Sequence, residues 1–272
     1  MPYLKESAAR DSAQCKYSNI REIDVTQGTA VSRKDVFGMA IMDAFHGKKV
    51  KLLIRRDDGN LDDEDASYYF VGFDKFAEIE RKAMSLALDP VLDVGSGAGR
   101  HSLYLQSEDR AVVSMDISPS MIRVATERGV KAPILAAAPW IPFKSESFGT
   151  VILMFNGFGI CGGYEETVVF LKELKRVLRF GGNILASTRH PTLTKNEIHL
   201  KYHELNRLRG RPAGLVTIRL EYGDEAGEWF NLLLASPEEM KKLCQRAGLK
   251  LGDIIGPDET TYYIGVIKKS SR

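Results

Sequence analysis

The sequence lacks the features that identify secreted, membrane-spanning and metal-binding proteins. Its three cysteines stand at positions 15, 161 and 244, without the paired spacing of a zinc site or a disulfide framework. No apolar run approaches the ~18 residues of a membrane span, and residues 1–10 lack the apolar core of a signal peptide. These absences favour a reduced, cytoplasmic protein without a metal site.

An excess of charge of one sign is also missing. The chain has 38 Lys and Arg residues against 36 Asp and Glu residues, which gives a formal net charge of +2. The whole chain therefore carries no electrostatic signature of nucleic-acid binding. Hydrophobic residues make up 44% of the sequence, which suits a soluble globular protein. A length of 272 residues is enough for one large α/β domain with additions, or for one domain with a small cap.

The most informative segment that is present runs from position 91 to 116. An apolar stretch, Val91–Val94, leads into a turn with glycines at positions 95, 97 and 99, and a second apolar stretch ends in Asp116. This order predicts a nucleoside-cofactor site in which Asp116 accepts hydrogen bonds from ribose hydroxyls. Arg100 stands where a dinucleotide fingerprint needs its third glycine, which weakens an NAD-binding interpretation.

Together with the segments that follow, this pattern resembles the class I S-adenosylmethionine-dependent methyltransferases. Three similar segments are the strand exit at 117–121, a short strand followed by a proline-aromatic turn at 134–143, and an apolar run at 150–155. The fourth is a helix that is followed by Phe180-Gly181-Gly182 and then by a strand. The resemblance implies a Rossmann-like, doubly wound α/β fold. Seven strands are expected, mostly parallel with a final antiparallel hairpin, with additions at the N-terminus and after the fifth strand.

The resemblance also implies a set of residues that bind S-adenosylmethionine. In this set Asp93 favours the cationic end of the cofactor, Met121 lies along the adenine, and Ala137 stands where the family usually has an acidic residue. Without that acid, adenine recognition is expected to rest on backbone groups, stacking or a nearby side chain. The full set is Asp93, Gly95, Ser96, Gly97, Gly99, Asp116, Ile117, Met121, Ala137, Ala138 and Phe155.

The resemblance leaves the methyl acceptor open. Asn156–Gly159 lacks the prolines found at this place in family members that methylate exocyclic amines of nucleobases, so we expect a small-molecule acceptor. His190, His203 and Glu204 are candidate bases in the segment expected to cap the acceptor. Two alternatives remain: an RNA methyltransferase that uses the basic residues of 199–211, and a protein that binds S-adenosylmethionine without catalysis.

We predict an N-terminal arm at 1–30, an extension or lid at 31–74, and a methyltransferase domain at 75–272 with a cap insertion at 189–235. Several segments allow more than one interpretation. The helix at 35–46 either covers the cofactor or packs on the sheet edge, and Tyr68 and Tyr69 are core residues or walls of the site. Cys161 is a nucleophile or, more simply, a small buried residue. The acidic stretch at 62–65 is expected to be a solvated loop.

Overall fold

A computed structural model describes residues 34–256 and 261–269 of the chain. The predicted N-terminal arm at 1–30 lies outside these described residues. No helix in the described part of the chain combines the length and the apolar character needed to cross a membrane.

The helices and strands follow one another in the alternating order of an α/β protein. The helices are α1 (Val36–Phe45), α2 (Glu78–Ser85), α3 (Arg100–Ser107), α4 (Pro119–Glu127), α5 (Tyr164–Val177), α6 (Glu197–Leu208) and α7 (Pro237–Arg246). The strands are β1 (Lys51–Arg56), β2 (Leu61–Asp65), β3 (Val91–Val94), β4 (Val112–Asp116), β5 (Pro133–Leu135), β6 (Phe148–Leu153), β7 (Leu178–Arg189), β8 (Leu215–Tyr222), β9 (Glu225–Ala226), β10 (Phe230–Leu233), β11 (Leu249–Ile255) and β12 (Tyr262–Lys269).

In the described part of the chain, the central sheet has seven strands in the order β11-β12-β7-β6-β3-β4-β5. Strands β3 to β7 pair in parallel, and β12 is antiparallel to both β7 and β11. Every residue of β3 and β6 is buried, because helices cover a parallel sheet on both faces and leave its central strands no solvated side. The predicted Rossmann-like fold with its final antiparallel hairpin is therefore confirmed.

The helices that cover this sheet begin at residues suited to capping. Ser118 accepts a hydrogen bond from the backbone N–H of Met121 and has Pro119 after it, so α4 begins where the sequence favours a helix start. In α7, Ser236 and Glu239 form a reciprocal capping box. Buried apolar residues on one face of α5, including Val168, Leu171 and Leu174, join the core of the central sheet.

A second, antiparallel sheet stands apart from the first, and we call it the accessory sheet. Its order is β10-β8-β1-β2, with β9 paired to β8. Strand β1 belongs to the N-terminal extension and β8 to the insertion after β7, so the sheet joins segments whose contacting residues Arg55 and Glu221 are 166 positions apart. The two additions that the sequence presents separately thus form one structural layer.

One local prediction was wrong. The acidic stretch at 62–65 is strand β2 rather than a solvated loop, because its backbone pairs with β1 while its carboxylates remain at an exposed edge. The helix before Phe180 ends at Val177, and β7 begins at once. Gly181, with a positive φ of 74°, lies inside β7, where the register to β6 shifts.

Candidate functional site

The glycine loop between β3 and α3 has a backbone that requires glycine. Gly95, Gly97 and Gly99 have φ values of 71°, 54° and 77°, in the left-handed region that side chains disfavour. At Gly99 packing adds a second reason, because an added Cβ would lie 2.6 Å from a methyl of Val130. The loop therefore keeps a side-chain-free surface at Gly95 and Gly97 and a tight helix start at Gly99.

Asp116, at the end of β4, joins the two strand-to-helix corners of the site. Its carboxylate accepts hydrogen bonds from the backbone N–H of Gly97 at 2.8 Å and of Ser118 at 2.9 Å. Burial raises the pKa of Asp116, while these two hydrogen bonds oppose the rise by stabilising the charged form. The Asp116 side chain is therefore fixed by hydrogen bonds from both loops, and it lines a large cavity.

A cavity of about 2640 Å³ lies between the carboxyl edge of the central sheet and the accessory sheet. Typical small-molecule sites occupy roughly 300–1,000 Å³, so this one has room for a cofactor and a second molecule together. Of the predicted cofactor residues, the cavity is lined by Gly95, Ser96, Gly97, Asp116, Ile117, Ala137, Ala138 and Phe155.

Three predicted cofactor residues lie behind this wall. Asp93 is buried and accepts a hydrogen bond from the Ser102 hydroxyl at 2.6 Å, and burial raises the pKa of its carboxyl group. Gly99 packs against α4, and Met121 lies in the core that joins α1 to α4. None of these three lines the described cavity, because helix packing covers each of them, so they support the site from beneath.

Arg100 is a cavity residue that sequence reasoning did not assign to the site. Its guanidinium is 3.1 Å from a carboxylate oxygen of Glu80 and lies over the rings of Phe76, Tyr68 and Phe155 at 4.2, 4.9 and 5.0 Å. The only hint in the sequence is that Arg100 occupies the position of the third glycine of a dinucleotide fingerprint. Because the aromatic partners come from distant segments, spacing along the chain could not have indicated this arrangement.

Glu80 holds this buried cluster together beneath the cavity. It accepts hydrogen bonds from Arg100, from His101 at 3.2 Å and from the backbone N–H of Ala77. Burial opposes ionisation of Glu80, but the hydrogen bond with His101 and the positive charges nearby hold its pKa below the ordinary value. The charge of Arg100 is thus compensated from the side away from the cavity.

Three buried polar atoms in the cavity wall have no hydrogen-bond partner among the described residues. They are the hydroxyl oxygen of Ser96, Nε of Arg100 and Oδ1 of Asn156, and the residues Ser96 and Arg100 are 7% and 4% exposed. Buried polar atoms are normally paired, so this end of the cavity is suited to a ligand that carries polar or charged atoms. Tyr68 and Tyr69 also line it and contact Phe155, which makes them walls of the site.

The three candidate bases have different surroundings. His190 and His203 line the cavity, whereas Glu204 is exposed and pairs with Arg207 at 2.7 Å outside it. Nδ1 of His203 is 2.7 Å from the carbonyl oxygen of Ala213. A carbonyl can only accept, so we assign the ring proton to Nδ1, which leaves Nε2 as an acceptor. Burial lowers the pKa of His203 and favours this neutral form.

Cys161 lines the same cavity, and burial raises the pKa of its thiol to about 12. The protonated thiol is a poor nucleophile, which favours the interpretation of Cys161 as a small packing residue. Within residues 34–256 and 261–269, no group of three or more His, Cys, Asp or Glu side chains is arranged to hold a metal ion.

Comparison with known proteins connects this geometry to a family. Residues 92–186 match the family model described as a methyltransferase domain. A solved S-adenosylmethionine-dependent methyltransferase from Bacteroides fragilis, in complex with S-adenosyl-L-homocysteine, is 26% identical in sequence and superposes with a TM-score of 0.75. The match covers 93% of this chain and all of that one.

Curated relatives share shorter stretches with this chain. A demethylmenaquinone methyltransferase of Streptomyces griseus is 32% identical over 115 residues, and the match spans 40% of this chain and 48% of that protein. A glycine/sarcosine N-methyltransferase of Aphanothece halophytica is 24% identical over 66% of this chain and 76% of its own length. The chain spans half or less of the length of several relatives that it matches. From its fold, its glycine loop and these similarities, the chain belongs to the class I, Rossmann-like family of S-adenosylmethionine-dependent methyltransferases.

Proposed function

We propose that this protein transfers a methyl group from S-adenosylmethionine to a small-molecule acceptor. One observation carries the proposal. Asp116 accepts hydrogen bonds from the two neighbouring strand-to-helix loops, and it does so at one end of a cavity that has room for two molecules. The names of the curated relatives support a small acceptor, although they indicate different ones.

The residues present fit the proposed cofactor. Ser96 and Arg100 offer buried, unpaired polar atoms that suit the carboxylate of its methionine portion, and the bare backbone at Gly95 and Gly97 permits a close approach. Asp116 has further acceptor capacity for ribose hydroxyls. Ala137 leaves the adenine without an acidic partner, while Ile117 and Trp140 offer apolar surface at the same end of the cavity.

When bound, S-adenosylmethionine supplies an electrophilic methyl group on a positively charged sulfur. The protein's contribution is to hold donor and acceptor in line and to exclude water, and an in-line displacement gains much of its acceleration from such positioning. Asp116 and the glycine loop fix one partner, and the accessory sheet closes the opposite side of the cavity. If the acceptor nucleophile carries a proton, Nε2 of His203 or the ring of His190 is the group that receives it.

The alternative of an RNA methyltransferase depends on the basic residues of α6. In the structure Lys201 is 4.0 Å from Glu197, and Arg207 is paired with Glu204, so neighbouring acids partly neutralise this surface. A phosphate-binding patch normally presents unpaired cations. Within the described residues Arg209 and Arg211 form no ion pair, so support for RNA as the acceptor rests on these two cations.

The test combines calorimetry with S-adenosylhomocysteine and methyl transfer from tritiated S-adenosylmethionine to a pool of small metabolites. Gly97→Arg should abolish binding because its side chain enters the cavity. Gly129→Arg is the matched control, since Gly129 also has a positive φ but lies outside the cavity, and no described residue comes within 4 Å of an added Cβ there. Asp116→Ala should weaken binding by on the order of 1.5 to 3 kcal/mol, since it removes charge-assisted hydrogen bonds.

The possible outcomes separate the alternatives. Unchanged affinity in both Gly97→Arg and Asp116→Ala would refute the cofactor site. Binding without transfer to small metabolites, but with transfer to RNA that weakens as salt rises, would replace the proposed acceptor class. Binding without transfer to either pool would favour the non-catalytic alternative.

A further inference from the structure

The accessory sheet has two chemically different faces, and the strand register assigns each residue to one of them. Ile54 pairs with Leu220, Arg56 with Ile218, Ile218 with Phe230, and Val216 with Leu232. Directly opposed residues point to the same face and alternate with those of the other face. One face therefore carries a continuous set of apolar side chains, namely Ile54, Val216, Ile218, Leu220, Phe230 and Leu232.

The other face is polar. Arg55 makes two hydrogen bonds with Glu221, which also accepts from Arg219, and these contacts lower the pKa of Glu221 to about 2. Lys51 pairs with Asp63, and Thr217 bonds to Asn231. An antiparallel sheet with one polar and one apolar face normally buries its apolar face against another layer.

Here much of the apolar face borders the cavity. All six of these apolar residues line it; Val216 is buried, four others are partly buried, and Phe230 is 36% exposed. Leu52, at the end of β1 near α1, is by contrast fully packed. An apolar ligand that covers this partly exposed surface removes apolar area from water, which makes the free energy of binding more favourable.

The polar groups on this face are confined to its ends. Arg56 is bound at two points by Asp58, so its charge is compensated. At the β2 edge Glu64 accepts a hydrogen bond from the Tyr69 hydroxyl at 2.8 Å, and Asp62 accepts from Asn60. The distance along β8 from Val216 to Leu220 is about 13 Å, which sets the length of the apolar surface.

We propose that this face binds the body of the methyl acceptor, and that the acceptor is a molecule with an extended apolar portion. The inference rests on the proposed function, because the same cavity contains the glycine loop that would hold the methyl donor. Acceptor selection would then come from a layer built jointly by the N-terminal extension and the insertion, while the central sheet supplies the cofactor site.

Neutral n-alkyl alcohols test the apolar face without assuming a nucleophile. We would titrate n-butanol, n-hexanol and n-octanol into the full-length protein, with and without S-adenosylhomocysteine, by calorimetry. If the face binds an alkyl chain, Kd should fall about fourfold for each added methylene. A Kd that does not depend on chain length would overturn the inference.

The two faces of β1 offer matched variants. Ile54→Lys places a charge on the cavity face and should weaken n-octanol binding at least tenfold, whereas Leu53→Lys places the same charge on the outer face and should leave it unchanged. Phe230→Ala and Asn231→Ala form a milder second pair on the edge strand β10, in case the lysine variants do not fold. Equal effects within both pairs would contradict the inference.

S-adenosylhomocysteine titrations of the same samples keep the two proposals apart. If the cofactor product binds normally to all four variants while alcohols show no preference, the apolar acceptor is wrong and the proposed function stands. If the product does not bind to the wild-type protein, the proposed function fails, and the alcohol titrations of the unloaded protein still decide whether the face binds alkyl chains.

Discussion

Asp93 and Asp116 lie near the carboxyl ends of neighbouring strands, yet their surroundings suit them to different roles. Asp93 is covered by α3 and holds the Ser102 hydroxyl, while Asp116 borders the cavity and holds the loop at Gly97. Sequence position placed both beside the glycine loop, since parallel strands end at one edge of a sheet. It could not show which one α3 would cover, because that depends on helix packing.

The same limit applies to other residues of the site. Gly95, Gly97 and Asp116 could be predicted because a tight turn and a strand end impose local requirements. The environment of Arg100 could not, since Glu80, Tyr68 and Phe155 surround it from three distant parts of the chain. Met121 has helical spacing that suits either the cofactor or the core, and the packing of α1 decided for the core.

His203 makes the stability of the protein depend on pH in a definite direction. Burial lowers its folded-state pKa below 6.5, the value that it would have when unfolded. Between these two pKa values the unfolded chain binds a proton that the folded chain does not, so the free energy of unfolding falls as pH falls below 6.5. The slope can reach at most about 1.4 kcal/mol per pH unit from this one group.

His203→Asn isolates this contribution, because an amide nitrogen can still donate to the Ala213 carbonyl but does not titrate near neutral pH. Urea unfolding at pH 7.5, 6.5 and 5.5 should show stability falling more steeply in the wild-type protein than in the variant. The difference between them should level off once the pH lies below the folded-state pKa. Parallel pH dependence in the two proteins would show that His203 is not held neutral by burial.

At the scale of secondary-structure elements, the insertion depends on close backbone contact with the central domain. Gly159 lies in a short helical turn after β6, and an added Cβ would overlap the carbonyl of Leu233 in β10. Within the insertion itself, an added Cβ at Gly214, before β8, would likewise overlap the carbonyl of Leu234. Glycine is needed here for approach, since neither residue has a positive φ.

We expect Gly159→Ala to lower the free energy of unfolding by about 2 to 3 kcal/mol, because the clash is with backbone atoms that cannot rotate away. Gly227→Ala is the control, since its added Cβ would be 3.4 Å from the nearest atom and its φ is not positive. That variant should stay within about 0.5 kcal/mol of the wild-type protein in urea unfolding. Similar losses in both would mean that the contact with β10 is not tight.

Strand β2 shows why element type can be hidden in a sequence. Four acidic residues in succession are poor strand formers, and their composition indicates a solvated loop. The partner strand overrides this preference, because β1 supplies backbone hydrogen bonds and leaves the carboxylates at an exposed edge. The long apolar run of β6 had no such conflict, and there composition and final structure agree.

At the scale of the whole molecule, a chain of contacts connects the cofactor end of the cavity with the accessory sheet. Asp35 caps α1 through the N–H of Gly38 and also accepts from the Ser118 hydroxyl and the Ser120 N–H at the start of α4. Beneath it, one apolar cluster contains Ala98 of the glycine loop, Met121 of α4, Ile41 of α1 and Leu52 of β1. The glycine loop and β1 therefore pack against the same apolar cluster, so a ligand that orders the loop should also affect β1.

The pairing of the extension with the insertion could not be predicted from the sequence, in which the two segments look like independent additions. Nothing in the spacing of either segment indicates a partner 166 residues away. Each segment has strand-forming residues, but the two strands can pair only because the folded central sheet brings the two segments close together. The common layer follows only from the assembled fold.

We expect S-adenosylhomocysteine to slow amide hydrogen exchange in β1 and β8 together, because β1 pairs directly with β8 and packs through Leu52 against the cluster under the glycine loop. Asp35→Ala should weaken the slowing in both strands while leaving it at residues 95–99, since it breaks the polar α1–α4 connection and leaves the apolar cluster in place. Asn196→Ala, which removes the cap of α6 instead, should preserve the wild-type pattern. Slowing in one strand without the other, or an unchanged pattern in Asp35→Ala, would show that the accessory sheet does not respond as a unit through this contact.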